Sequence, residues 1–296
     1  MNRLKSIYGI ALLAAASLAA AAYAAGQQVI MSPAQGSYIE GLKALLAATF
    51  SDYQPWMDQF LYFQNFLGRR LFFGIIVLIP LVFLIHLVLV GPKRFSHKKG
   101  MVYYFSLFAR VIHWVAAASF TLLVITGLMV IFAKPLGGGE LVLQARHWHA
   151  ACALVFVISA VPMFLMWLKD MLPAAYDIKW FFILGGYLSK KKVPVPAGRF
   201  NAGQKVWFWL ATAGGGVMAW TGWYIYSLGA PTPELRLYVL IHSYLAAALT
   251  AFFLVHLYMS LFAIKGAIKS MISGYKPLEE VEILHSRFKV KRVKKS

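Results

Sequence analysis

The sequence predicts an all-α integral membrane helical bundle, with a four-helix core preceded by an additional N-terminal transmembrane helix. Of the 296 residues, 60% are hydrophobic and 13% are charged, against about 45–50% apolar and about 25% charged in soluble domains. Five segments contain no Asp, Glu, Lys or Arg, and the cationic residues lie between them. These segments are 71–90, 112–133, 148–168, 206–228 and 237–264.

Each of the five segments reaches the ~20 residues that a bilayer core of ~30 Å requires of a helix. If they were helices of a soluble protein, each would need a partner for an apolar surface on all sides. The net charge of +19 raises the question of nucleic acid binding. However, the cationic residues are concentrated in the connections, as the positive-inside rule expects, so we predict a lipid environment and no nucleic acid partner.

The N-terminus predicts a cleavable signal peptide over 1–24. Arg3 and Lys5 precede an Ala/Leu-rich stretch that ends in Ala22-Tyr23-Ala24, the small-residue pattern of a signal-peptidase site. The alternative is an uncleaved first anchor, for which the apolar stretch is rather short. Residues 25–70 then form a periplasmic extension, whose aromatic residues suggest an interfacial or partner-contact segment.

The charge distribution predicts the orientation in the membrane. The connections 91–106, 169–205 and 265–296 hold 20 Lys and Arg, whereas the opposite connections, 25–70, 134–146 and 229–236, hold six. The first set is therefore cytoplasmic, which places the mature N-terminus in the periplasm and the C-terminus in the cytoplasm. We divide the rest of the chain into an added helix with its basic loop (71–102), a four-helix domain (103–275) and a basic tail (276–296). We expect the tail from Glu279 to Ser296 to be solvated or bound to headgroups.

The single cysteine, Cys152, lies within an apolar segment. One cysteine excludes a disulfide framework, thiolate zinc sites and iron–sulfur clusters bound by this chain alone. The ionisable residues inside the predicted spans are all histidines, namely His86, His113, His149, His242 and His256. Ionisable residues at membrane depth are candidate functional sites by default.

The spacing of the histidines predicts two pairs. His242 and His256 are 14 residues apart on the last span, which corresponds to ~21 Å of helical rise and nearly four full turns. They therefore point to the same side of the bundle at opposite depths. By depth, His113 pairs with His256 on the cytoplasmic side and His149 pairs with His242 on the outer side.

Two facing histidines suit the two axial positions of a haem iron. A zinc site would normally use three or four ligands at one level, and a proton relay would normally include carboxylates. No CxxCH motif for covalent attachment is present, so two pairs predict two non-covalent haems of b type. The alternative from another class is a haem-free polytopic transporter whose histidines only pack between helices. Transporters typically have charged residues or broken helices near the middle of the membrane, and the predicted spans lack both.

The roles of His147 and His86 do not follow from the pairing. His147 and His149 differ by about 200° in direction on a helix, so only one can face the bundle, and the spacing does not choose between them. His86 has no unpaired histidine at its depth except the loop residue His97, so we predict a structural role for His86.

Four motifs share their residues and spacing with a known family. They are Arg110-Val111-Ile112-His113-Trp114, Arg146-His147-Trp148-His149, Phe200-Asn201-Ala202-Gly203-Gln204-Lys205, and Ile241-His242 followed by His256-Leu257-Tyr258-Met259. They resemble the RxxHW, RxxH, NAGQK and closing histidine motifs of the cytochrome b, or gamma, subunit of membrane-bound formate dehydrogenase. The resemblance covers about 103–275. The first 102 residues depart from the shorter four-helix members.

The resemblance implies a dihaem electron-transfer subunit without a dehydrogenase active site of its own. It selects His149 over His147, so the haem ligands are His113, His149, His242 and His256. It implies that a periplasmic iron–sulfur (beta) subunit, bound to a catalytic (alpha) subunit, supplies electrons that reach menaquinone near the cytoplasmic face. The quinone-binding residues would be Asn201, Gly203, Gln204 and His256. Without the resemblance, Asn201 could equally be a helix cap.

Related complexes remain as alternatives. The cytochrome b subunit of a nickel–iron hydrogenase, or of another molybdopterin oxidoreductase such as thiosulfate reductase, follows the same logic with a different attached subunit. The chain does not encode that subunit, so the sequence alone leaves the electron donor open.

Overall fold

The computed structural model describes residues 55–290, together with Glu40 and the backbone of 293–294. The predicted signal peptide, 1–24, and all of 25–54 except Glu40 lie outside the described residues. The described chain is helical, with one small sheet. Its helices are α1 (Met57–Leu89), α2 (Leu107–Ile131), α3 (Gly139–Met171), α4 (Ala175–Phe182), α5 (Ala202–Trp209), α6 (Gly215–Ser227), α7 (Thr232–Ala263), α8 (Lys269–Ser273) and α9 (Leu278–Leu284).

Among the described residues, four helices are long and apolar enough to cross a membrane, namely α1, α2, α3 and α7. Apolar side chains also cover the outside of α1, where Val88 is 75% exposed and Val82 is 60% exposed. Such a surface suits lipid better than water, because soluble monomers rarely expose large apolar patches. The prediction of an all-α integral membrane protein is confirmed.

The predicted span 206–228 forms helical structure but differs from the other four segments. α5 and α6 are joined by a π-helical turn, Leu210–Gly214, so helical backbone runs from Ala202 to Ser227. This stretch is absent from the four candidate spans of the described chain. Its many Gly, Thr, Trp and Tyr residues lower its mean hydropathy.

α1 begins earlier than the sequence predicts. The prediction placed the end of a periplasmic extension at 70, whereas α1 begins at Met57 and passes through a π-helical turn at Phe63–Leu67. Its 33 residues correspond to about 50 Å of helix, well beyond the ~30 Å of a bilayer core. Residues 57–70 are therefore helical although they contain Arg69 and Arg70.

The described chain divides into two compact units. The first comprises 55–79, Leu123–Ala151 and Val217–Ala248, and the second comprises Pro80–Leu122, Cys152–Gly216 and the described residues from Leu249 onward. The core of the first unit packs α1 against α7. It contains Phe63, Phe72, Phe132, Leu240 and Ala247.

The second unit contains a folded region built from the predicted cytoplasmic connections. Its core includes Phe95, Trp180, Val195, Ile264 and Leu284. Three antiparallel strands, β1 (Met101–Tyr103), β2 (Tyr275–Pro277) and β3 (Val293–Lys294), form a sheet in the order β2-β1-β3. Met101 pairs with Pro277, and Tyr103 pairs with Tyr275.

The expectation that the tail from Glu279 onward is solvated or bound to headgroups is wrong for its first part. Val281, Leu284 and His285 are almost completely buried. The backbone N–H of Val195 donates to the carbonyl of Ile283 at 2.7 Å, and the N–H of Arg287 donates to the carbonyl of Ala197 at 2.9 Å. The segment is held because its apolar residues join the core formed by distant loops, which its basic composition did not reveal.

Candidate functional site

The first unit brings together the histidines predicted for the outer side. His149 on α3 and His242 on α7 face each other with ring centroids 6.3 Å apart and ring planes at 59°. We call them the outer pair. His147, two residues earlier, lies elsewhere: its Nδ1 is 3.2 Å from the hydroxyl oxygen of Tyr226.

The second unit brings together the histidines predicted for the cytoplasmic side. His113 on α2 and His256 on α7 have ring centroids 6.3 Å apart and ring planes at 55°. We call them the cytoplasmic pair. Trp207 of α5 stacks on His256, with centroids 5.4 Å apart and planes at 20°. Sequence reasoning missed this tryptophan, because an aromatic residue in an apolar segment gives no local sign of its partner.

The spacing within each pair fits two imidazoles on opposite sides of one metal ion. With metal–nitrogen bonds of about 2.0–2.1 Å, such imidazoles have ring centroids about 6 Å apart. Among the described residues, no group of three or more His, Cys, Asp or Glu side chains could hold a metal ion. A haem iron, which needs only two axial ligands from the protein, therefore suits these pairs better than zinc does.

Glycines lie against both histidines of the outer pair. A Cβ atom built on Gly127 would lie 3.4 Å from Cε1 of His149, and one built on Gly222 would lie 3.1 Å from Cε1 of His242. The residue before each glycine is a threonine that contacts the same imidazole. Thr126 Oγ1 is 2.9 Å from Nδ1 of His149, and Thr221 Oγ1 is 3.0 Å from Nδ1 of His242. Sequence reasoning missed both threonines, although the repeated Thr-Gly dipeptide was visible.

The cytoplasmic pair has different polar surroundings. Nδ1 of His113 is buried and has no hydrogen-bond partner in the described part of the chain. Aromatic rings pack beside the pair instead, since Trp207 also contacts Phe120 edge to face at 5.5 Å. The two pairs therefore share their spacing and differ in the residues that contact their imidazoles.

His86 makes two contacts that suit the predicted structural role. Its Nδ1 is hydrogen-bonded to the hydroxyl of Tyr258, and its Nε2 is 2.9 Å from the carbonyl oxygen of Tyr187. Phe83 stacks on Tyr258 with centroids 4.2 Å apart and planes at 3°. These contacts attach α1 to α7 within the second unit.

The predicted quinone-binding residues form the N-terminus of α5. Asn201 Oδ1 accepts a hydrogen bond from the Gln204 backbone N–H at 3.0 Å, and Gln204 Oε1 accepts one from the Asn201 N–H at 3.0 Å. This is a capping box, so the helix-cap alternative describes the observed geometry. Each amide uses its oxygen for the cap, and among the described residues neither NH₂ group donates a hydrogen bond.

Close packing and a buried ion pair fix the start of α5. A Cβ atom on Gly203 would lie 2.8 Å from the ring of Trp180, so only glycine fits there without movement. Lys205 Nζ donates to Asp177 Oδ2 at 2.7 Å, with both side chains largely buried. This pair ties α5 to α4.

Comparison with known proteins places these residues in a family context. The profile described as prokaryotic cytochrome b561 matches residues 104–274, which include all four paired histidines and Asn201, Gly203 and Gln204. The cytochrome b556(fdo) subunit of formate dehydrogenase from Escherichia coli (strain K12) is 29% identical over 178 residues, covering 56% of this chain and 81% of the relative.

Two further relatives carry similar names. The nitrate-inducible formate dehydrogenase cytochrome b556(Fdn) subunit of Escherichia coli (strain K12) is 26% identical over 193 residues, or 60% of this chain and 85% of the relative. The formate dehydrogenase cytochrome b556 subunit of Haemophilus influenzae (strain ATCC 51907 / DSM 11121 / KW20 / Rd) is 24% identical over 193 residues, or 61% and 79%. These similarities confirm the resemblance that the sequence motifs indicated.

Proposed function

Since the chain belongs to the prokaryotic cytochrome b561 family, we propose that it is the membrane-anchoring dihaem cytochrome b subunit of a respiratory formate dehydrogenase. In this proposal electrons come from a periplasmic iron–sulfur subunit and reach menaquinone near the cytoplasmic face. Family membership implies haem b. The proposal of two haems rests on one observation. Two separate pairs of histidines face each other, each with ring centroids 6.3 Å apart.

The proposed roles of the histidines follow from their placement. His149 and His242 hold one haem, and His113 and His256 hold the other. When bound, each haem supplies one-electron transfer, while the protein supplies ligands, orientation and a dry environment. The helices α2, α3 and α7 fix these side chains within rigid elements, which suits a site where a small displacement weakens binding.

The proposed quinone-binding residues are Asn201, Gly203, Gln204 and His256. The side-chain NH₂ groups of Asn201 and Gln204 are suitable donors to a quinone carbonyl, and the capping box holds both amides in place. Trp207 connects α5 to His256 through its stacked ring. This arrangement supports electron delivery at the α5 end of the second unit.

The proposed location is the bacterial inner membrane, with the N-terminus in the periplasm and the C-terminus in the cytoplasm. The proposed partners are the iron–sulfur (beta) and catalytic (alpha) subunits of the dehydrogenase, together with lipid and quinone. The relatives' names support formate as the electron source. In this proposal the helical stretch from α5 to α6 crosses the membrane as part of the four-helix core, and α1 would be a fifth membrane-spanning helix added to that core.

One set of variants tests the proposal in membranes that contain the whole complex. Wild type should bind two haems per chain by pyridine haemochrome assay, and formate should reduce both. His242→Ala should remove chiefly the outer haem, and His256→Ala should remove chiefly the cytoplasmic one. The structural His86→Phe is the control and should retain both haems. Absence of haem in wild type would refute the proposal, and reduction by hydrogen but not by formate would assign the chain to a hydrogenase.

A further inference from the structure

The two histidines of the outer pair are held by the same two-residue arrangement. Thr126-Gly127 on α2 lies against His149 of α3, and Thr221-Gly222 on α6 lies against His242 of α7. In each case the threonine Oγ1 is within 3.0 Å of the histidine Nδ1, and the glycine lets the helix approach the imidazole. The repetition on separate helices indicates a shared role.

The threonines can act as acceptors because their own protons have other partners. Thr221 Oγ1 lies 2.8 Å from the carbonyl of Val217, and Thr126 Oγ1 lies 3.3 Å from the carbonyl of Leu123. A hydroxyl has one proton to donate and two lone pairs with which to accept. If the proton goes to the carbonyl, the oxygen accepts from the histidine Nδ1–H.

This hydrogen bond selects one tautomer of each histidine. A neutral imidazole that carries its proton on Nδ1 has a lone pair on Nε2, which is the form required of a metal ligand. A partner that accepts from Nδ1–H also fixes the ring orientation and raises the basicity of the ligand. The cytoplasmic pair lacks this support at His113, whose buried Nδ1 is unpartnered in the described part of the chain.

We propose that Thr126 and Thr221 are positioning residues that orient His149 and His242 and lower the reduction potential of the outer haem. The inference rests on the proposed function, since it concerns a haem held by that pair. A more basic ligand favours ferric over ferrous iron, so the two hydrogen bonds make the outer haem the better electron donor. The asymmetry between the pairs therefore favours electron flow from the outer haem to the cytoplasmic one.

The test uses Thr126→Val and Thr221→Val, which retain the shape of the side chain but remove the hydroxyl. Thr126→Ser and Thr221→Ser retain the acceptor. Thr121→Val is the matched control, because Thr121 lies on the same helix as Thr126 and, in the described part of the chain, its hydroxyl donates to the carbonyl of Ala117 at 2.7 Å and contacts no histidine. The haem content and both midpoint potentials are measured by redox titration of the purified complex. The outer haem is identified as the one missing from His242→Ala.

Each valine variant should reduce the preference of the outer haem for ferric over ferrous iron about tenfold. This change raises the reduction potential of the outer haem by about 59 mV. The cytoplasmic potential should not change, and the serine and Thr121→Val variants should match wild type. Loss of the outer haem in the valine variants, with retention in the serine variants, would also support positioning by the hydroxyl. Unchanged outer potentials, or haem loss in the serine variants as well, would overturn the inference. Absence of the outer haem from wild type would instead refute the proposed function.

Discussion

At the scale of single residues, two neighbouring histidines on α3 lie in different environments. His149 faces His242 with ring centroids 6.3 Å apart, whereas His147 is exposed and lies beside Tyr226. Two residues on a helix differ by about 200° in direction, so the two rings cannot serve the same site. The outer pair can therefore use only one of them.

We expect His149→Ala to remove the outer haem, because it deletes one of the two proposed axial ligands. His147→Ala should keep the haem content near wild type, since its contact with Tyr226 lies outside the pair. Haem content per purified chain measures both effects. The opposite pattern, with haem lost from His147→Ala alone, would show that the ligand had been assigned in the wrong register.

Glycine is required where a helix passes close to an imidazole. Gly222→Ala should displace His242, because the added Cβ would lie 3.1 Å from Cε1, and the outer haem content should fall severalfold. Gly127→Ala, where the contact would be 3.4 Å, should have a weaker effect.

Gly216→Ala is the matched control for this prediction. Gly216 lies on α6 as Gly222 does, but among the described residues a Cβ built there would meet no atom within 4 Å apart from the nearby backbone of its own helix. The optical spectrum of Gly216→Ala should match that of wild type. If Gly222→Ala retained a full outer haem with an unchanged spectrum, close packing at His242 would not matter for binding.

At the scale of elements, the start of α5 combines a helix cap with the proposed quinone contact. Two substitutions separate the roles. Asn201→Asp and Gln204→Glu keep the oxygens of the capping box but remove the NH₂ donors. We expect each to slow haem oxidation by a menaquinone analogue about threefold to tenfold, the effect of one lost hydrogen bond, with haem content unchanged.

The contribution of the cap to stability is measured with Asn201→Ala, which removes both the side-chain acceptor and the side-chain donor. That variant should also lose about 1 kcal/mol of stability, as expected for a lost N-cap. Full quinone reduction by Asn201→Asp and Gln204→Glu would place the quinone elsewhere and leave these residues with a capping role alone.

The segment after β2 contains a buried titratable group. His285 is 2% exposed, and its Nδ1–H donates to the carbonyl of Gly198 at 2.9 Å. Burial, with a smaller contribution from the charge of Lys276, lowers the pKa of His285 to about 3. The folded state therefore favours the neutral imidazole, whereas the unfolded imidazole has a pKa of about 6.5.

The pH dependence follows from this depressed pKa. Above about pH 6.5 the stabilisation is fully present, and it decreases as the pH falls from about 6.5 towards 3, because the unfolded state binds a proton that the folded state does not. Hydrogen exchange of α9 should therefore be faster at pH 5.0 than at pH 7.5, after correction for intrinsic rates. His285→Gln, which keeps a donor but does not titrate, should show a smaller change, and equal changes in both proteins would refute this origin.

At the scale of the whole molecule, the proposed function needs a route for electrons and a source of protons for the quinone. The predicted spans contain no Asp, Glu, Lys or Arg, so they lack the usual groups of a proton path across the bilayer. Under the proposed function, charge separation would come from electrons that cross inward, each worth about 2.3 kcal/mol per 100 mV of membrane potential.

We therefore expect quinone reduction to take protons from the cytoplasmic compartment. Proteoliposomes that contain the oriented complex and a trapped pH dye can measure the side of proton uptake during formate oxidation. Uptake from the compartment that faces the iron–sulfur subunit would place the quinone site at the outer end. An uncoupler provides the control, since it should abolish the pH difference without slowing electron transfer.

Local patterns in the sequence determined the membrane class and the candidate ligands. The absence of charge over about 20 residues is a property of one segment, and the depth of His113 or His242 follows from its position along that segment. The 14-residue interval between His242 and His256 also needs only helical geometry. The family motifs added the choice of His149 over His147, which the spacing had left open.

Only the tertiary structure decided which side chains meet between helices. Thr126, Thr221 and Trp207 touch the paired histidines because α2, α5 and α6 have particular rotations about their axes, and such rotations depend on packing over the whole bundle. The folding of 276–290 likewise depends on residues such as Phe95 and Val195, which are distant in sequence. Contacts of this kind produce no local pattern in the sequence, because the two residues that make each contact lie far apart along the chain.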